Sequence, residues 1–152
     1  MGANESVTNQ QEDQISEFIF EFLYKQKKES IAEIIRTQFR NGYCWHFANI
    51  LRDTFHRGEI VWTAPLGHMV WYDPYTDKYY DIEGEYLQSK HDVFYMIPSR
   101  YLGEHIREFM HIPNDGHIEK VSKVSDLIEI VKTYCNDNNI LYSNKIEEYF
   151  VR

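Results

Sequence analysis

The hydrophobic period of this chain changes near Gly58, and that change restricts its possible folds more than any other feature. Before it, Ile15, Phe18, Ile19, Phe22 and Leu23 follow i, i+3, i+4, i+7, i+8 spacing. The spacing predicts an amphipathic helix ending near the basic cluster Lys25, Lys27 and Lys28. Ile31, Ile34, Ile35 and Phe39 predict a shorter helix, stopped by the turn signal Asn41-Gly42. Cys44, Phe47, Ala48, Leu51 and Phe55 form a third stripe. Beyond Gly58 come short runs of strand formers: Ile60-Val61-Trp62-Thr63, His68-Met69-Val70-Trp71-Tyr72, Tyr79-Tyr80-Asp81-Ile82 and Val93-Phe94-Tyr95-Met96-Ile97. The turn Asp73-Pro74-Tyr75-Thr76 separates the second and third, and Gly84 and Pro98 stop the last two. Helical spacing returns at Leu102, Ile106, Phe109 and Met110, with Ser99 as a cap. A loop at Asn114-Asp115-Gly116 leads to a last stripe of Leu127, Ile128, Val131, Tyr134 and Cys135. Residues after Asn139 show no clear period. Helices, then an antiparallel sheet, then helices make an α+β fold, with the Cys44 helix packed on the sheet.

A length of 152 residues suits one domain. Residues 1–11 are polar and aperiodic and read as a flexible tail, leaving 12–152 as the domain. The formal net charge of -8 repels phosphate backbones, so no nucleic-acid partner is expected. No stretch has the length of a membrane span, so no membrane partner is expected either. No charged leader precedes an apolar segment, and two cysteines make no disulfide framework. A reducing cytoplasm is the expected location. Met1-Gly2-Ala3-Asn4-Glu5-Ser6 fits the loose N-myristoylation pattern, but no polybasic patch follows closely, and lipidation is not the expectation. The sequence contains no internal repeat, and it fixes no oligomeric state.

Cys44 follows a glycine turn and begins a predicted helix. Unpaired N–H groups and partial positive charge at a helix start favour the thiolate, the reactive form of cysteine. Its stripe with Phe47, Ala48 and Leu51 turns the sulfur toward the sheet. Strand alternation puts His68, Val70 and Tyr72 on one face with Tyr79, Asp81 and Glu83. If Tyr72 pairs with Asp77, His68 lies opposite Asp81; a shift of two residues puts it opposite Glu83. In either register a carboxylate stands beside the imidazole, where it fixes the tautomer and stabilises the imidazolium. The turn favours Asp81, with Glu83 as the alternative orienting carboxylate. Cys44 is then the nucleophile and His68 its base. His46 falls on another helix face and is not assigned as the base.

Gly42-Tyr43-Cys44-Trp45 at a helix start, Gly67-His68 on a strand and Tyr80-Asp81-Ile82 on the next resemble the papain-like cysteine hydrolase superfamily. The order Cys, His, Asp and the compact hairpin between the last two are most similar to its transglutaminase-like branch. Gln38 stands six residues before Cys44, as the oxyanion-hole glutamine does in papain-type proteases. The resemblance implies that Gln38 and the Cys44 backbone N–H bind the oxyanion. The further cysteine and glycine features of the papain signature are missing: Phe39 and Asn41 stand there. The short separation of Cys44 and His68 implies a minimal superfamily member. Trp45 and Trp71 are expected to wall a substrate cleft.

These features point to acyl transfer at an amide or thioester of a protein or peptide-like substrate, with no cofactor and no metal. The choice between hydrolysis, deamidation and transamidation stays open. One competing reading takes Cys44, His46, His68, Asp81 and His91 as metal ligands, against which the chain has no repeated ligand pair of standard zinc spacing. Another is a catalytically inactive binding or inhibitor protein that retains the fold. The general look resembles small phage-type proteins, which suggests a host or defence protein as target.

Overall fold

The computed structural model describes residues 2–25, 29–40, 42–110 and 122–150, with the side chains of 2–8, 29 and 30 outside the described set. Helix α1 (Gly2–Tyr24) and helix α2 (Glu29–Arg40) precede helix α3 (Cys44–Phe55). The stretch expected as a tail is therefore helical from Gly2. Of its later residues only Gln10 and Gln11 are good helix formers, and Gln11 accepts a hydrogen bond from Arg57 at 3.1 Å. The expected loop Asn114-Asp115-Gly116, the turn residue Asn41, and Lys27 and Lys28 lie outside the described residues.

Five antiparallel strands follow: β1 (Glu59–Ala64), β2 (Met69–Asp73), β3 (Lys78–Asp81), β4 (Gly84–Tyr86) and β5 (Tyr95–Pro98), in the order β4-β3-β2-β1-β5. The fold is α+β, as the change of period implies. Gly84, expected to stop a strand, instead opens β4 with φ 103°, and Ile82-Glu83 form the turn between Asp81 and Gly84. Ser99 caps no α-helix. The segment Ser99–Glu108 is 3₁₀ and broken at Gly103, whose φ is 54°. Helices α4 (Val124–Asp137) and α5 (Ile146–Phe150) complete the chain. Among the described residues no helix is long and apolar enough to cross a membrane.

One face of the sheet packs against α3, with Trp62, Trp71, Met69, Ile60 and Ile97 at most 1% exposed. A continuous apolar cluster runs from Ile15 in α1 through Phe47 and Leu51 in α3 to Val131 in α4 and Ile146 in α5. The opposite face buries Val61, Val70, Tyr86 and Met96 in a smaller cluster. Gly58, with φ 82°, lies so close to β2 that a Cβ there would run into the Tyr72 carbonyl and the Trp71 indole. Only glycine allows that approach at a left-handed φ.

The β2–β3 hairpin is held at its turn by Asp73, which is fully buried. Its carboxylate accepts from Arg57 Nε at 2.6 Å and Nη2 at 3.1 Å, from the Tyr75 N–H at 3.0 Å and from Thr76 Oγ1 at 3.0 Å. Burial works against ionisation here, but Arg57 and these donors hold the carboxyl below its ordinary range. The Arg57 guanidinium also lies 4.1 Å from the centroid of the Tyr75 ring. Asp73 pairs with Lys78, Tyr72 with Tyr79 and Trp71 with Tyr80. This register is displaced by two residues from the expected pairing of Tyr72 with Asp77. The turn contains all of Pro74 to Asp77, and Asp77 takes φ 55° and donates its N–H to the Asp73 carbonyl at 2.8 Å.

Candidate active site

Cys44 is the first residue of α3 and is 6% exposed. The Tyr43 N–H donates to the Gln38 carbonyl at 3.1 Å, folding the end of α2 onto the start of α3. The sulfur faces the beginning of β2, where the Met69 N–H donates to Sγ at 3.4 Å and the Gly67 carbonyl lies 3.9 Å away. An N–H aimed at sulfur favours the thiolate, as do the unpaired amides of the first helical turn.

His68 lies between the β1–β2 loop and β2. Its carbonyl accepts from both the Thr63 N–H at 3.1 Å and Thr63 Oγ1 at 2.8 Å. Nε2 donates to Asp81 Oδ2 at 2.9 Å, which leaves the other ring nitrogen to act on the Cys44 thiol. Asp81 ends β3, and its Oδ1 accepts the Glu83 N–H at 2.8 Å. Both oxygens of a nearly buried carboxylate are thus satisfied. Tyr86 packs against the imidazole at 5.4 Å between ring centroids, and His91 stacks on Tyr86 at 4.3 Å.

The electrostatics follow from these contacts. Burial alone would raise the Cys44 thiol. The hydrogen bond and charge of His68, with the N–H groups of Met69 and Trp45, outweigh it and bring the thiol below its ordinary value. Burial alone would lower His68, yet Asp81 and Cys44 push it up to about 9. Each partner favours the charged form of the other.

A cavity of about 430 Å³ opens onto Cys44 and His68. Gly42 and Gly67 flank the thiol, and a Cβ built on Gly67 would meet nothing within 4 Å, so that side is open. Arg40, from the end of α2, and Glu108 and Phe109, from the end of the 3₁₀ segment, complete the wall. None of these three was expected at a site, though Phe109 was read as part of a helical stripe. Arg40 carried a faint signal, standing just ahead of the Gly42 turn, whereas Glu108 and Phe109 arrive from a distant segment.

Cys44, His68 and Asp81 come together as expected, but the remaining expectations need correction. Gln38 is exposed on α2 and does not line the cavity; the helix turns Ile35 and Phe39 inward and Gln38 outward. Glu83 is not the orienting carboxylate. Although the observed register extends His68 toward Glu83, β3 ends at Asp81 and the Ile82-Glu83 turn carries the Glu83 carboxylate away, to Arg36 Nε at 3.4 Å and Arg40 Nε at 3.6 Å. Trp71 walls no cleft. It is fully buried, stacks on Phe55 at 5.5 Å and donates to the Arg57 carbonyl at 2.9 Å. Trp45 is half-buried against the apolar core and also lies outside the cavity wall. His46 packs on Tyr43 and Trp45 in α3, and His91 is separated from His68 by Tyr86. Among the described residues no three His, Cys, Asp or Glu side chains converge as a metal-ligand set.

No curated protein and no solved structure matches the chain. The model of one family, described as phage YunG-like protein, matches residues 19–123, a span that includes Cys44, His68, Asp81 and every described residue of the cavity wall. That match extends over more than half of the sequence, and the chain belongs to the phage YunG-like family.

Proposed function

We propose that this chain is a cysteine-dependent acyl-transfer enzyme, similar to papain-like hydrolases and most similar to their transglutaminase-like branch. The observation that carries the reading is the run of side chains from Asp81, hydrogen-bonded to His68, to the Cys44 thiol whose ionisation His68 favours, ending at an open cavity. The Cys44 thiolate attacks the carbonyl carbon of an amide or thioester in a protein or peptide-like substrate. The new C–S bond forms as the bond to the leaving amine or thiol breaks, and the proton on His68 goes to that leaving group. Water or an amine then attacks the acyl-enzyme, giving its proton to His68 as Cys44 is released. Water yields hydrolysis or deamidation, and an amine yields transamidation. The Cys44 backbone N–H, in the first turn of α3, is the donor best placed for the oxyanion once Gln38 is set aside. Two free cysteines suit a reducing cytoplasm.

A second reading is a binding or inhibitor protein of phage origin that keeps this fold without chemistry and acts on a host or defence protein. The 6% exposure of Cys44 favours it. Two measurements separate the readings. Iodoacetamide near neutral pH should label Cys44 ahead of Cys135. Incubation with candidate protein substrates should change their mass with the unaltered chain and not with Cys44→Ala. An inert Cys44, with no mass change on any substrate, would leave the binding reading standing.

A further inference from the structure

Among the described residues the cavity beside Cys44 carries one formal charge of each sign apart from the Cys44–His68–Asp81 group, and both are placed to be read by a ligand. Arg40 is the one lysine or arginine in its wall among the described residues, and Glu108 is the one acid. The Arg40 side chain is 44% exposed, and its nearest carboxylates stand off, Glu83 at 3.6 Å and Glu33 at 3.9 Å. Half-exposed pairs of that length are weak, so they steady the guanidinium without consuming its hydrogen-bonding capacity. Glu108 uses Oε1 to accept the Ser122 N–H, which fixes the side chain; among the described residues the second oxygen has no partner and can take another donor. Phe109 adds an apolar surface to the wall, and charges act more strongly where water is displaced. The neighbouring Arg36 is outside this wall and is tied to Tyr24 at 3.2 Å and Glu33 at 2.9 Å. On a chain of net charge -8, an arginine kept at the mouth of the nucleophile's cavity runs against the general field.

We propose that Arg40 and Glu108 select a substrate of split charge, with a carboxylate held by Arg40 and an ammonium or guanidinium held by Glu108 on either side of the reacting carbonyl. A segment of polypeptide with acidic and basic side chains flanking the acylated position has that chemistry. A neutral ligand strips water from both charges and returns nothing, so it is rejected by the penalty of leaving them unpaired. This inference rests on Cys44 being the nucleophile.

The test uses three methanethiosulfonates of similar size on protein carrying Cys135→Ala: one neutral, one anionic (sulfonatoethyl) and one cationic (trimethylammonioethyl). In each case the thiolate attacks sulfur, a mixed disulfide forms and a sulfinate leaves. Dividing by the neutral rate within each variant removes any change in the thiol itself. Arg40→Gln is expected to lower the anionic-to-neutral ratio about fivefold, and Glu108→Gln the cationic-to-neutral ratio by a similar factor. Arg36→Gln, which removes the same formal charge outside the cavity, should move neither ratio by more than about twofold. In the protein with Arg40 and Glu108 intact, added salt should bring both ratios toward one. If Cys44 reacts with the neutral reagent but the ratios stay within about twofold in Arg40→Gln and Glu108→Gln, this inference alone falls. A Cys44 that does not react with the neutral reagent near neutral pH overturns the nucleophile reading and this inference with it.

Discussion

Cys44 and Cys135 are alike in every respect that a helical stripe records. Both lie on the inward face of an α-helix, both are free thiols, and both are nearly buried, at 6% and 2% exposure. Burial opposes ionisation of each. At Cys135 nothing overcomes it: the Tyr95 hydroxyl helps slightly and the thiol is raised. At Cys44 the same penalty is overcome by an imidazole, by two backbone N–H groups and by the start of a helix. Depth of burial therefore does not by itself decide whether a thiol ionises readily. What separates the two cysteines is the set of polar groups that meets the sulfur.

The largest effect that can break this comparison comes from the far end of the run of side chains. Asp81→Asn, measured as the rate of acylation of Cys44, should lower it by roughly a hundredfold or more, because the amide cannot stabilise the imidazolium and favours the wrong tautomer. The reactivity of Cys135 should not change. Equal losses at both cysteines would mean that the substitution loosened the whole fold.

The pH dependence sharpens the same contrast. The proposed acyl transfer would need Cys44 deprotonated and His68 protonated. Turnover should rise as pH passes through the lowered value of Cys44 and fall as pH passes through about 9, where His68 loses its proton. Alkylation of Cys135 should begin only above the ordinary thiol range, since its shift is upward. Part of the rise at His68 comes from the thiolate, so in Cys44→Ala the imidazole should titrate below its value in the unaltered protein, as read from its NMR shifts. An unchanged His68 would show that Asp81 acts alone.

Smaller effects follow outside the run. Glu83→Gln should change acylation by less than about tenfold, because its carboxylate faces Arg36 and Arg40 and only its backbone N–H reaches Asp81. Smallest is Cys135→Ala, expected to keep full activity and to cost about 1 kcal/mol in denaturant unfolding, the cavity left by one buried sulfur.

Much of this was legible in the residues. The stripe from Cys44 to Phe55 coincides with α3, and the change of period after Gly58 marks the start of the sheet. The meeting of His68 and Asp81 was also legible, but through a wrong register. A displacement of two residues keeps every side chain on its face, so alternation cannot detect it. The turn at Ile82-Glu83 then restored Asp81 as the partner, and it was hidden because β4, only Gly84–Tyr86, is too short to show a pattern. Gln38 and Trp71 were misplaced for a different reason. The role expected of Gln38 came from its spacing before Cys44 in the resemblance and that of Trp71 from its large ring, while their side-chain directions are set by the helix and by the core. Arg40 and Glu108 are close only in three dimensions, and no local pattern joins the end of α2 to the segment before Phe109.

The Asp73 clamp fixes a zero point from which the hairpin is measured. His68 lies a set number of strand residues back from it and Asp81 a set number forward, so the two meet only while the turn between them keeps its length. Length changes in the chain are then unequal in consequence. Residues added between Ala64 and His68, or after Tyr86, leave that measure untouched. Two residues added between Asp73 and Lys78 would permit the strands to pair two residues out of step, and in that register the carboxylate leaves the reach of the imidazole with every side chain still on its face. The hairpin would remain, and the alignment of its two polar ends would be lost.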